Sequence, residues 1–111
     1  MLVKVEILYF VDCPNYRAAR ALVERVAAEK GLFPHLTLVE VSSPEDAVRL
    51  RFLGSPTIRV DGLDVEPDAN DREGFTLACR VYRSTSGLSG LPDEEWIRDA
   101  LRYEPRVLTD K

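Results

Sequence analysis

The amino-acid sequence predicts a single α/β domain, and three observations carry that expectation. Residues 3 to 10 place Val3, Val5, Ile7 and Tyr9 on one side and Lys4, Glu6, Leu8 and Phe10 on the other, as in a strand entering the middle of a sheet. From Pro14 the apolar period lengthens to that of a helix, with Ala18, Ala19, Leu22, Val23, Val26 and Ala27 recurring between charged residues. The same change, strand to helix, repeats over residues 35 to 52.

The elements follow in order. Pro14 suits a first helical turn and Gly31 the residue after the last, which predicts a helix of about four turns with Cys13 at or beside its N-cap. "HLTLVEV" (35 to 41) is a second strand. "SSPEDAVRLRF" (42 to 52) opens with Ser43 as cap, Pro44 in the first turn and Asp46 three residues after the cap. Thr57 to Val60 and Leu63 to Glu66 flank Asp61-Gly62, a dipeptide suited to a two-residue hairpin because both central residues need positive φ. The last helix is expected over 92 to 102, with Trp96, Ile97, Ala100 and Leu101 on its apolar face and acids in its first turn. Residues 67 to 90 form an insertion too long for a structureless loop in a compact domain. Within it "FTLACRVY" alternates Phe75, Leu77, Cys79 and Val81 against Thr76, Ala78, Arg80 and Tyr82, and "STSGLSG" reads as flexible loop. The domain is expected over residues 1 to 104, with 105 to 111 as a C-terminal tail.

Composition narrows the function classes. At 111 residues with 45% hydrophobic and 31% charged residues, the chain is long enough for one core and polar enough to be an ordinary soluble domain. Its net charge of -4, with Lys and Arg scattered among the acids, argues against a nucleic-acid partner. Met1 to Phe10 carries one lysine, no small-residue cleavage site and nothing near the length of a membrane span, so a cytoplasmic protein without a membrane partner is expected. Two cysteines, Cys13 and Cys79, are too few for a disulfide-stapled scaffold or a four-thiolate metal site. No cofactor and no conventional metal site are therefore expected, and the oligomeric state is left open.

The order β-α-β-α-β-β-α, a cysteine where strand 1 meets helix 1, and a Ser-Pro-Thr opening strand 3 resemble the thioredoxin-like superfamily. The resemblance covers residues 3 to 66 and the final helix. It is narrower towards short bacterial thioredoxin-like proteins with Cys-Pro-x-x in place of Cys-x-x-Cys. It implies a three-layer sandwich with an insertion between strand 4 and the last helix, and Cys13 as nucleophile. It also implies Tyr16 where the resolving cysteine would stand, and a cis Pro56 in the Gly54-Ser55-Pro56-Thr57 loop facing Cys13. Pro14, Asn15, Tyr16, Ser55, Pro56 and Thr57 become the expected substrate-binding residues, with the backbone at Ser55-Pro56 holding an extended substrate.

A helix N-terminus stabilises a thiolate, which is the reactive form of cysteine. Asp12 beside Cys13 opposes that effect, and Arg17 stands four residues on to offset it. Tyr16 is placed to donate a hydrogen bond to the Cys13 sulfur or to pack on the helix. Strand directions bring the segment after strand 4 back to the Cys13 end. That makes Cys79, flanked by Arg80 and Arg83, a candidate second catalytic thiol or soft-metal ligand; the alternative is a buried structural cysteine beside Phe75, Leu77 and Val81. His35 is expected at the surface and Trp96 in the core. The functional expectation is thiol–disulfide exchange, or reduction of an oxidised sulfur, with a protein or low-molecular-weight thiol as partner. The alternatives are a non-catalytic binding module and a mercury or copper(I) binder using both thiols.

Overall fold

A computed structural model describes residues 3–101; the expected tail after Pro105 lies outside the described residues. Among them, β1 (Lys4–Tyr9), α1 (Tyr16–Glu29), β2 (His35–Glu40), α2 (Pro44–Arg49), β3 (Thr57–Val60) and β4 (Leu63–Asp64) follow in turn, then β5 (Tyr82–Ser84), β6 (Gly87–Ser89) and α3 (Glu94–Ala100). The protein is a mixed α/β fold: a four-stranded sheet in the order β2-β1-β3-β4, with three helices. β1 pairs parallel with β2 and antiparallel with β3, and β3 pairs antiparallel with β4.

Side-chain alternation along β1 builds two apolar clusters. Val5 pairs with Leu36 and Val60, and Ile7 with Leu38 and Ile58, so all of these leave the sheet on one face. There they meet Ala19, Val23, Val26 and Ala27 of α1 and Ile97 of α3, together with Leu101. Leu8 leaves the opposite face and packs with Val41, Phe52 and Ala47 of α2, with Phe75 and Leu77 of the insertion alongside. Helices therefore cover both faces. No described helix is long and apolar enough to cross a membrane.

Local signals account for the element ends. The Ser43 hydroxyl accepts from the Asp46 N–H at 3.0 Å, satisfying one of the free donors at the start of α2. At the other end of that helix, Arg59 donates to the carbonyls of Leu50 and Arg51 at 2.6 and 3.0 Å and ties α2 to β3. Asp93 accepts from the Glu95 N–H at 2.8 Å and caps α3. Asp61 and Gly62 take φ of 51° and 88°, and Val60 pairs with Leu63, as a two-residue hairpin requires. Asp61 also accepts from the Lys4 N–H at 3.1 Å, which pins the turn to the start of β1.

Two expectations are corrected. Helix α1 starts at Tyr16 rather than Pro14, with Asn15 as its N-cap. The cause is a turn in which the Cys13 N–H bonds the Phe10 carbonyl at 2.9 Å, so helical hydrogen bonding starts at the Asn15 carbonyl. "STSGLSG" is not loose: Tyr82, Arg83 and Ser84 pair with Ser89, Leu88 and Gly87 in a second, two-stranded sheet. The insertion also holds a short 3-10 turn at Ala69–Asp71.

Phe52 sits wholly buried at the centre of the second cluster. Phe52→Ala is expected to cost about 3–5 kcal/mol, the sum of lost transfer energy and the cavity left behind. Urea unfolding with a loss under about 1 kcal/mol would show that this face collapses freely around the gap.

Candidate functional site

The end of β1, the turn after it and the loop entering β3 meet at one end of the sheet. The Phe10 N–H donates to the Ser55 hydroxyl oxygen at 3.1 Å, joining the two loops. The Ser55–Pro56 peptide bond is cis. Thr57 is buried and donates its hydroxyl to the Gly54 carbonyl at 2.7 Å, closing the loop on itself. Cys13 lies in this angle with its thiol donating to the Ser55 carbonyl at 3.4 Å, and it is 0% exposed.

The insertion supplies the remaining wall. The Ser55 N–H donates to the Ala78 carbonyl at 2.8 Å, and the Arg80 N–H donates to the Ser55 carbonyl at 2.9 Å. These two bonds form a parallel bridge between Ser55 and Cys79, which brings Cys79 to Cys13 across 66 positions of sequence. Gly54, at φ 123°, lies under the same segment: a Cβ there would stand 2.9 Å from the Arg80 Cβ and 3.1 Å from the Ala78 carbonyl oxygen. A side chain at position 54 would lift the segment that carries Cys79. Farther along, Gly90 presses on the Asn15 side chain, so the end of the β5–β6 hairpin abuts the turn that holds Cys13.

The alternation expected in "FTLACRVY" is reversed where it matters. Arg80 and Tyr82 are buried, Val81 is 64% exposed and Cys79 is exposed, so Cys79 is not a core cysteine. The reason is the destination of Arg80. Its guanidinium donates to Asp64 at 2.9 and 3.2 Å, to Glu66 at 2.7 Å and to the Thr57 hydroxyl at 2.9 Å, and it lies 4.4 Å over the Tyr82 ring. Tyr82 in turn donates its hydroxyl to the Pro56 carbonyl. With both terminal nitrogens of Arg80 hydrogen-bonded in the interior and its Nε alone left without a partner, the residue between Ala78 and Arg80 must face outward.

The electrostatics separate the thiols. Burial pushes the Cys13 thiol up, but the nearby Asn15 backbone N–H, Cys79 thiol and Ser55 hydroxyl favour its anion, and the net result lies below an ordinary cysteine. Cys79 moves the other way: its hydrogen bond to Cys13 raises it, with burial and the Cys13 charge adding to the effect. The expected assistance of Arg80 to a Cys79 thiolate is absent, because its charge is committed to two carboxylates. Of the two thiols, Cys13 is therefore the one that gives up its proton first.

The other expected site residues divide. Asn15 and Ser55 touch the Cys13 sulfur, while Thr57 and Pro56 act through the loop and through Arg80 and Tyr82. Pro14 is exposed in the turn, and the Tyr16 ring stacks on Tyr9 with centroids 4.2 Å apart. Arg17 lies over the outer face of Tyr16 at 5.5 Å. His35 is exposed and pairs with Lys4 at the start of β1, at the opposite end from Cys13. Trp96 packs against the first apolar cluster, near Tyr82. Asp64, Glu66 and Tyr82 were not expected at the site; the alternation of "LDVE" beside a later "CRVY" is the only sequence trace of their meeting with Arg80. No protein-family model matches the chain, and no curated protein matches it.

Proposed function

We propose that the protein is a thiol-dependent redox protein in which Cys13 and Cys79 pass between dithiol and disulfide, on a thioredoxin-like fold. The fold reading is supported by the sheet order β2-β1-β3-β4, the helices on both faces and the cis Ser55–Pro56 bond beside Cys13. One observation carries the chemistry: Cys13 and Cys79 meet at Ser55, whose carbonyl accepts from the Cys13 thiol at 3.4 Å and whose backbone forms a bridge with Cys79. A thiolate whose neighbour is a second thiol closes a disulfide as soon as that neighbour is oxidised or joined to another sulfur. Cys79 thus supplies the second thiol that Tyr16 does not supply in the Cys-Pro-x-x turn.

Mild oxidation of the protein, followed by digestion and mass spectrometry, tests this. The expected product is an intramolecular Cys13–Cys79 peptide link, reversed by a dithiol. Two free thiols after oxidation, or links only between chains, would end the proposal. The same juxtaposition favours one second reading, two-coordinate binding of a soft cation such as Hg(II) or Cu(I). Tight one-to-one binding that needs both cysteines, in a protein that forms no internal disulfide, would select it.

A further inference from the structure

The backbone of Ser55 is already paired where an extended substrate would dock. The Ser55 N–H is taken by the Ala78 carbonyl, and its carbonyl accepts from the Arg80 N–H. Pro56 has no N–H and its carbonyl accepts from Tyr82, while Thr57 already sits in the β1–β3 ladder opposite Leu8. The chain itself fills the place expected for a docked peptide.

That internal strand is held at both ends. The Thr76 N–H bonds the Phe52 carbonyl at 3.0 Å on one side. On the other, Arg80 is anchored in Thr57, Asp64 and Glu66 with its side chain 3% exposed. A peptide would have to strip this strand away, and Cys79 with it. Meanwhile Cys13 has no exposed surface and Cys79 has.

We propose, resting on the redox reading above, that the site takes low-molecular-weight disulfides and excludes extended peptide disulfides, with Cys79 as the sulfur that meets the substrate. In the first step the Cys79 sulfur attacks one sulfur of a small disulfide RSSR. A Cys79–SR bond forms, the S–S bond of RSSR breaks, and one thiolate RS⁻ leaves as the Cys79 proton passes to the Cys13 thiolate. The departing RS⁻ removes that proton from Cys13 and becomes RSH. The Cys13 thiolate then attacks the Cys79 sulfur, forming the Cys13–Cys79 disulfide and releasing the second RS⁻. RSSR is reduced to two thiols and the protein dithiol is oxidised; two thiols RSH run the sequence backwards. Burial of Cys13 suits the second step, in which it meets only Cys79.

The test uses the reduced full chain with two probes, bis(2-hydroxyethyl) disulfide and a linear ten-residue peptide carrying a central mixed disulfide with 2-mercaptoethanol. Each rate is divided by that of the same probe with free N-acetylcysteine. The two backbone hydrogen bonds denied to the peptide are worth about tenfold or more, so the small probe is expected to lead by that factor. A normalised peptide rate equal to or above that of the small probe overturns the substrate class while leaving the redox reading in place. No reaction with either probe by folded protein overturns both. In Cys13→Ser the small probe is expected to leave a stable adduct on Cys79, and in Cys79→Ser to leave Cys13 unmodified under native conditions. Rapid adduct formation on Cys13 in Cys79→Ser would overturn the assignment of the first encounter to Cys79.

Discussion

Arg80→Met is expected to lower stability by about 3–5 kcal/mol, because removing one partner of a buried ion pair strands the others. Asp64 and Glu66 are 5% and 11% exposed at their side chains, and without the guanidinium their charges face a low-dielectric pocket. Arg72, at 3.2 Å from Glu66, compensates only one of them and from the outer side. Urea unfolding measures the loss, and a decrease below about 1 kcal/mol would show that the ion cluster contributes little beyond packing. Adding Asp64→Asn and Glu66→Gln to Arg80→Met is expected to recover part of the deficit, since the stranded charges are then gone.

The acid limb of stability carries the same signature. Burial pushes the Glu66 carboxyl up, but the hydrogen bonds and charges of Arg72 and Arg80 outweigh it and hold the group below the usual carboxylate range. Its contribution is therefore fully present above its unfolded value and is lost as pH falls through the lower folded value. In Arg80→Met the folded value rises, so the variant's stability deficit is expected to be largest near neutral pH and to shrink as pH falls and Glu66 is protonated. The same variant frees the strand bearing Cys79, and the yield of Cys13–Cys79 disulfide on mild oxidation is expected to fall with it.

Single substitutions at the two cysteines should move the surviving thiol in opposite directions. In Cys79→Ala, Cys13 keeps its burial but loses a hydrogen-bond donor, so its pKa is expected to rise. In Cys13→Ala, Cys79 loses the hydrogen bond and the charge that hold it up, so its pKa is expected to fall. Thiolate absorbance followed across a pH titration reads both without requiring access to the buried sulfur. Each variant is also expected to lose internal disulfide formation completely, with exchange through the pair falling to that of an isolated thiol. An unchanged Cys13 titration in Cys79→Ala would show that the two sulfurs do not share a proton.

How far the site could be read from sequence depended on the range of the interaction. The Ser43 cap, the Asp61-Gly62 turn and the alternation of Val5, Ile7 and Leu8 are set by neighbours a few residues apart, and each holds in the structure. Cys13 and the Ser-Pro-Thr loop were visible as candidates because both stand at element boundaries. The start of α1 was misplaced by two residues, since a turn to the Phe10 carbonyl competes with the signal of Pro14. The outward face of Cys79 was hidden altogether. "FTLACRVY" has apolar residues on both sides of its alternation, and only the distant carboxylates of Asp64 and Glu66 select the side that turns in.

By itself the sequence determined an α/β domain with β1 to β4, α1, α2 and the last helix in this order, but not β5 and β6, because hydrophobic period and end-capping are local properties of the chain. It also determined that chemistry of any soft, nucleophilic kind must use one or both of two thiols. The tertiary structure decided which thiol is buried, which is exposed and that the two meet at Ser55. It decided as well that residues 78 to 80 consume the backbone of Ser55. Those outcomes follow from one long-range requirement: a buried arginine's charge must be paired, and the carboxylates that pair it fix the strand next to the cis-proline loop.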